Sequence, residues 1–99
     1  MLDINALVKG VDDGAARSDL FEPDAIRVRA IAFQHYRVAG EVKSFIHLRA
    51  QILSGRSDEQ KQHLSRCLFD SLELFTASVA SVSVDIVDME RGCYIKRLP

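Results

Sequence analysis

The 99-residue chain carries 13 Lys and Arg against 14 Asp and Glu, a formal net charge of −1, so no global basic field draws it to nucleic acid. A hydrophobic fraction of 47% suits a folded globular protein, and no apolar run reaches the roughly 18 residues that a membrane-spanning helix needs. This length predicts one small domain over residues 1–99, with a core modest enough that a self-associating surface is expected.

Residues 3 to about 18 predict a helix. Ile4, Leu7, Val8, Val11 and Ala15 recur at spacings of three and four, with Asp3 placed to cap the start. Gly10 and Gly14 weaken that helix on propensity alone. Phe21-Glu22-Pro23-Asp24 breaks the pattern, because proline restricts both itself and its predecessor.

Residues 26–36 alternate and predict a strand, with Ile26, Val28, Ala30 and Ala32 on one face and Arg27, Arg29, Ile31, Phe33 and His35 on the other. After a Gly40-containing connection, residues 44–53 predict a second strand. Its apolar face is Ile46, Leu48, Ala50 and Ile52, opposite Phe45, His47, Arg49 and Gln51. Alternation of this kind belongs to a sheet with one helix-covered face.

Residues 57 to about 75 predict the strongest helix. Ser57 and Gln60 form a capping-box pattern, Asp58 and Glu59 suit the positive end of the helix dipole, and Leu64, Cys67, Leu68, Ser71, Leu72 and Phe75 form the inward stripe. Residues 82–89 predict a third strand, and the tail after Glu90 has no periodicity. The helix-to-strand step recurs in both halves, Ala25-Ile26-Arg27-Val28 in one and Ser81-Val82-Ser83-Val84 in the other. The second half opens with a strand. By that repeat, the first half is expected to have its own opening strand upstream of Asp3.

The junction Gly55-Arg56-Ser57-Asp58-Glu59-Gln60 presents a guanidinium at a helix start, a setting suited to anions. Together with the run from Ile26 to Ile31, it resembles the 5-carboxymethyl-2-hydroxymuconate delta-isomerase family, of the 4-oxalocrotonate tautomerase superfamily. The resemblance covers nearly the whole chain. It implies an α+β fold of two fused strand-helix-strand units, a mixed sheet with two helices on one face, and homotrimers. It also implies a 1,3-proton transfer in a small unsaturated keto-dicarboxylate during aromatic-compound catabolism, with neither metal nor organic cofactor.

In that chemistry arginines bind the substrate carboxylates and a developing oxyanion, roles that fall here on Arg27 and Arg56. The position equivalent to Arg27 in the second half is Ser83. The family's base is the amine of an N-terminal proline. This chain begins Met1-Leu2, with its prolines at 23 and 99, so the catalytic residue is unassigned. Little proton-transfer activity is expected of these 99 residues. The alternative is a non-catalytic oligomer of the same fold that binds a small carboxylate or serves structurally.

Other residues carry plainer readings. His35, His47 and His63 lie in separate elements without metal-ligand spacing, and Asp85 and Asp88 read as polar-face residues. Cys67 falls on the inward helix stripe and Cys93 in the tail. They form no CxxC, and with no secretory signal at the start they predict reduced thiols in a cytoplasmic protein without a membrane partner. Ile31, Phe33 and Phe45 would stand in water on a lone chain, which predicts that copies pack sheet against sheet.

Overall fold

The computed structural model describes residues 2–41 and 43–97. Two helices and two parallel strands form an α+β arrangement. Helix α1 spans Ile4–Arg17, and the Asp3 carboxylate accepts the Ala6 N–H at 3.2 Å as its N-cap. At the other end the Ser18 hydroxyl donates to the Ala15 carbonyl at 2.6 Å, satisfying an acceptor the helix leaves open.

Helix α2 spans Asp58–Glu73 and starts with both halves of the expected capping box. The Gln60 N–H donates to Ser57 Oγ at 3.1 Å, and the Ser57 N–H donates to Gln60 Oε1 at 2.8 Å.

The helices lie against each other, and their contact explains the glycines that propensity counts against α1. A Cβ on Gly14 would collide with the Ser71 hydroxyl and stand 3.1 Å from the Cys67 carbonyl oxygen; one on Gly10 would strike the Phe75 ring. The two glycines lie four apart, on one face, and let the backbones approach there.

Strand β1 (Phe45–Leu53) runs parallel to β2 (Ser81–Met89), in register from Phe45 opposite Ser81 to Leu53 opposite Met89. A parallel pair needs a crossover, which α2 supplies. Lys61 on α2 reaches Asp88 at 3.1 Å and ties helix to strand. The core joins Leu7, Val11 and Ala15 of α1, Leu64, Leu68 and Leu72 of α2, and Ile52 of β1. Ile46, Leu48, Ala50, Val82, Val84 and Ile86 pack against it from the sheet, as the alternation predicts.

Three expectations change in detail. Residues 26–33 form neither helix nor turn and bond to no strand, because a strand exists only with a neighbour and none lies beside them among the described residues. The mixed sheet is accordingly represented among the described residues by its parallel pair alone. Ile26 and Val28 still turn inward onto the core, whereas Ala30 and Ala32 are exposed. Phe75, past the end of α2, is 36% exposed rather than core, and Cys67 is only half-buried. Val38 and Glu41 bridge across a tight turn with Ala39 and Gly40 both at positive φ, the twist-matched geometry of a two-residue hairpin.

Candidate functional site

The β1–α2 junction is built around a turn only glycine fits comfortably. Gly55 has φ +122°, outside the range L side chains favour, and the Ser54 N–H is held by the Met89 carbonyl at 2.9 Å. The turn reverses the chain within a few residues and leaves Arg56 just before the Ser57 cap.

Arg56 is half-buried and already engaged. Its Nη2 donates to the Leu20 carbonyl at 2.8 Å and its Nη1 to the Leu53 carbonyl at 3.3 Å, while the guanidinium lies 5.0 Å from the centre of the Phe21 ring. It therefore fastens the end of the α1 region to the end of β1. These acceptors are neutral carbonyls, so the cation keeps its charge uncompensated, and its remaining N–H groups have no described protein acceptor.

A second arginine approaches the same turn, one that nothing in the aperiodic tail sequence indicates. The Arg91 Nε donates to the Ser54 carbonyl at 3.2 Å, and its backbone N–H donates to Ser54 Oγ at 3.3 Å. Its Nη2 lies 3.8 Å from where a Cβ on Gly55 would stand, an ordinary contact distance. The 3-10 turn Arg91–Cys93 following β2 positions this side chain. A sequence signal could only have come from knowing that β1 and β2 end side by side.

Arg27 has a different setting. It is exposed within residues 26–33, with Nη1 3.5 Å from the Asp24 carbonyl. No hydrogen bond or shared acceptor links Arg27 to Arg56 among the described residues. Among those residues, no carboxylate stands within ion-pair distance of Arg27, Arg56 or Arg91. Cations without acidic partners, two of them around one glycine turn, make a setting for an external anion.

The start of α2 adds less than the sequence implies. Asp58 and Glu59 already meet the positive end of its dipole, so an anion at the junction depends on guanidinium groups more than on helix amides. Pro23 opens the 3-10 turn Pro23–Ala25 and so is not at a strand start, and Pro99 lies outside the described residues. The remaining polar pairs sit elsewhere. His47 Nδ1 is 2.7 Å from Ser83 Oγ across the exposed sheet face, and His63 Nε2 is 3.7 Å from Cys67 Sγ along α2. Asp85 faces Arg49 at 3.9 Å, the polar-face role expected of it, whereas Asp88 lies on the helix-covered side with Val82, Val84 and Ile86 and reaches Lys61 of α2 at 3.1 Å.

A parallel strand-helix-strand unit beside a second helix, with a glycine–arginine junction at the crossover helix start, is an α+β arrangement of the tautomerase-like kind. The chain belongs to the 5-carboxymethyl-2-hydroxymuconate isomerase family, whose model matches residues 1–96. Among solved structures it is similar to a 5-carboxymethyl-2-hydroxymuconate isomerase from Deinococcus radiodurans R1, at 28% identity and a TM-score of 0.84. That match covers 97% of this chain and 78% of the other. The structure of Pt0534 inactivated by 2-oxo-3-pentynoate shares the fold, at 20% identity and a TM-score of 0.79, covering 93% of this chain and 79% of the other. No curated protein sequence matches significantly. Family and neighbour together support an isomerase-type function.

Proposed function

We infer that the chain handles a small unsaturated keto-dicarboxylate, within a 1,3-proton transfer of the kind that serves aromatic-compound breakdown in the cytoplasm. The observation that carries this reading is the pair of guanidinium groups at the Gly55 turn, without acidic partners among the described residues, in a chain of this family. Arg56, with Arg91 beside it, grips one carboxylate, and Arg27 is the candidate for the second carboxylate or the developing oxyanion. The cations supply what the reaction needs where negative charge accumulates. The base is not among the groups placed at the junction, so binding is the decisive first measurement.

The test is calorimetric titration with 2-hydroxymuconate, using the protein and its Arg56→Lys and Arg91→Ala variants, each checked for an unchanged far-UV spectrum. Lysine keeps the charge and loses the fork, so a weakening of roughly tenfold or more is expected for Arg56→Lys. Absence of dicarboxylate binding, or binding indifferent to both substitutions, would overturn the reading.

A second reading is a non-catalytic oligomer that uses Arg56 structurally, favoured by the carbonyl bonds to Leu20 and Leu53. A homotrimer belongs to either reading. Exposure of Ile31 at 79%, Phe33 at 69% and Phe45 at 42% supports sheet faces packed between copies.

A further inference from the structure

We propose that His63 and Cys67 of α2 form an open zinc site, in which the Cys67 thiolate and the His63 imidazole bind one ion and water completes its coordination. This goes beyond the isomerase reading and uses none of the residues at the Gly55 turn.

The geometry of the pair carries the assignment. Residues four apart on a helix share a face on consecutive turns. Here that spacing brings His63 Nε2 within 3.7 Å of Cys67 Sγ. Zinc sits about 2.3 Å from a sulfur ligand and about 2.05 Å from a nitrogen ligand, so at a tetrahedral angle of about 109° the two ligand atoms stand roughly 3.6 Å apart. The side chains already hold that separation, with the ring nitrogen turned toward the sulfur. In the absence of an ion the contact is a weak thiol–imidazole hydrogen bond. Entry of the ion needs the thiol proton to leave and the ring to tilt, with no movement of the backbone.

Packing fixes one ligand and leaves the other accessible. Cys67 is half-buried between the core residues Leu64 and Leu68, and its carbonyl stands against Gly14 of α1. Its place in the helix–helix seam is therefore set by the close crossing. His63, one turn nearer the start of α2, is exposed and gives the ion a path from solvent. Coordination through Nε2 puts the imidazole proton on Nδ1. The neighbouring polar groups are engaged elsewhere. Arg17 donates to Ser71 Oγ at 2.7 Å, Ser71 donates to the Cys67 carbonyl at 2.9 Å, and Arg66 reaches Asp70 at 3.4 Å.

The donor set selects the ion. Thiolate with imidazole suits zinc and its cobalt analogue, whereas magnesium and calcium require oxygen ligands. No group of three or more His, Cys, Asp or Glu residues assembles among the described residues. The protein thus supplies two ligands, so the site is weaker than a closed four-ligand one and its ion exchanges with solvent. Because both ligands lie on α2, the ion staples consecutive turns of that helix and joins it to no second element.

The experiment titrates the reduced protein with zinc in competition with a chromophoric chelator, and with cobalt followed by absorbance. One ion per chain is expected at micromolar concentration. The cobalt form should show a thiolate-to-metal charge-transfer band and the strong visible bands of a tetrahedral centre. Saturating zinc should raise the melting temperature and slow amide exchange around residues 63–67. His63→Ala changes an exposed residue, so its apo form should melt with the parent while zinc binds at least tenfold more weakly. Cys67→Ser should lose the charge-transfer band, and Cys93→Ser should keep both band and affinity. Zinc binding does not depend on the dicarboxylate titration, and either result can fail without the other. Four results would overturn the proposal: no saturable zinc uptake at micromolar concentration, a cobalt spectrum without the thiolate band, undiminished affinity in His63→Ala, or one ion per two chains, which would place the ion between copies.

Discussion

Replacing Gly14 with alanine sets a local preference against a tertiary contact, and the contact should win. In an exposed helix the change would stabilise by about 1 kcal/mol. Here the new methyl meets the Ser71 hydroxyl and the Cys67 carbonyl oxygen. The carbonyl is α2 backbone and cannot move alone. Ser71 is 1% exposed; it accepts from Arg17 Nη2 at 2.7 Å and donates to the Cys67 carbonyl at 2.9 Å. Relief thus requires either pushing the helices apart or turning a buried hydroxyl away from its partners. Overpacking costs about 1–3 kcal/mol, and losing a buried hydroxyl's partners costs about 1–3 kcal/mol more. Net destabilisation of about 2 kcal/mol is expected, a fall in melting temperature of roughly 10 °C for a chain of this size. Gly10→Ala is the control. Its obstacle is the ring of Phe75, which lies past the end of α2 and can swing outward, so that variant should stay within about 1 kcal/mol of the parent. Urea unfolding followed by circular dichroism measures both. A Gly14→Ala protein as stable as the parent would refute the close-crossing argument. So would a Gly14→Ala, Ser71→Gly cycle showing no coupling, since the clash would then not be the cause.

Two other substitutions follow from the same packing. Ser57→Ala removes one arm of the α2 capping box and should lower stability by about 1 kcal/mol in the same denaturation assay, with Ser57→Asn close to neutral. Leu68→Ala empties a site 2% exposed at the centre of the core and should cost about 2–5 kcal/mol, read as a shift in urea midpoint at unchanged slope.

What could be read from the sequence was what local chemistry decides. The α2 start is fixed by four residues, Ser57 to Gln60, and the β1 alternation by apolar spacing, so both survive contact with the structure. Residues 26–33 show the limit: their alternation is that of a strand, but a strand is a relation between two segments and the partner is not encoded in either. The glycines of α1 show another limit. Propensity marks them as weakness, whereas their spacing matters only once Ser71 and Phe75 are known to lie opposite. Arg56 was identifiable as a cation at a helix start, but its bond to Leu20 depends on a loop 36 positions away in sequence, and Arg91 joins the turn only because two strand ends meet.

The double engagement of Arg56 ties the stability of the chain to its proposed ligand site. One guanidinium bonds the end of the first half at Leu20 and the end of β1 at Leu53, so removing it loosens the seam between the halves whether or not any ligand exists. Loss of function in Arg56→Ala therefore discriminates nothing. The informative comparison is between two effects of Arg56→Lys. A purely structural arginine would show a stability loss that accounts for any loss of binding, because weaker binding would track the unfolded fraction. An arginine that also grips a carboxylate loses its planar fork, so affinity falls further than stability at temperatures where the variant remains folded. Ligand linkage gives the same answer from the other side: saturating dicarboxylate at 100 times its Kd raises parent stability by about 2.7 kcal/mol. In the lysine variant at the same concentration that increment should shrink by about the tenfold affinity loss, roughly 1.4 kcal/mol. An undiminished increment would place the carboxylate elsewhere and leave Arg56 as the clamp between the halves.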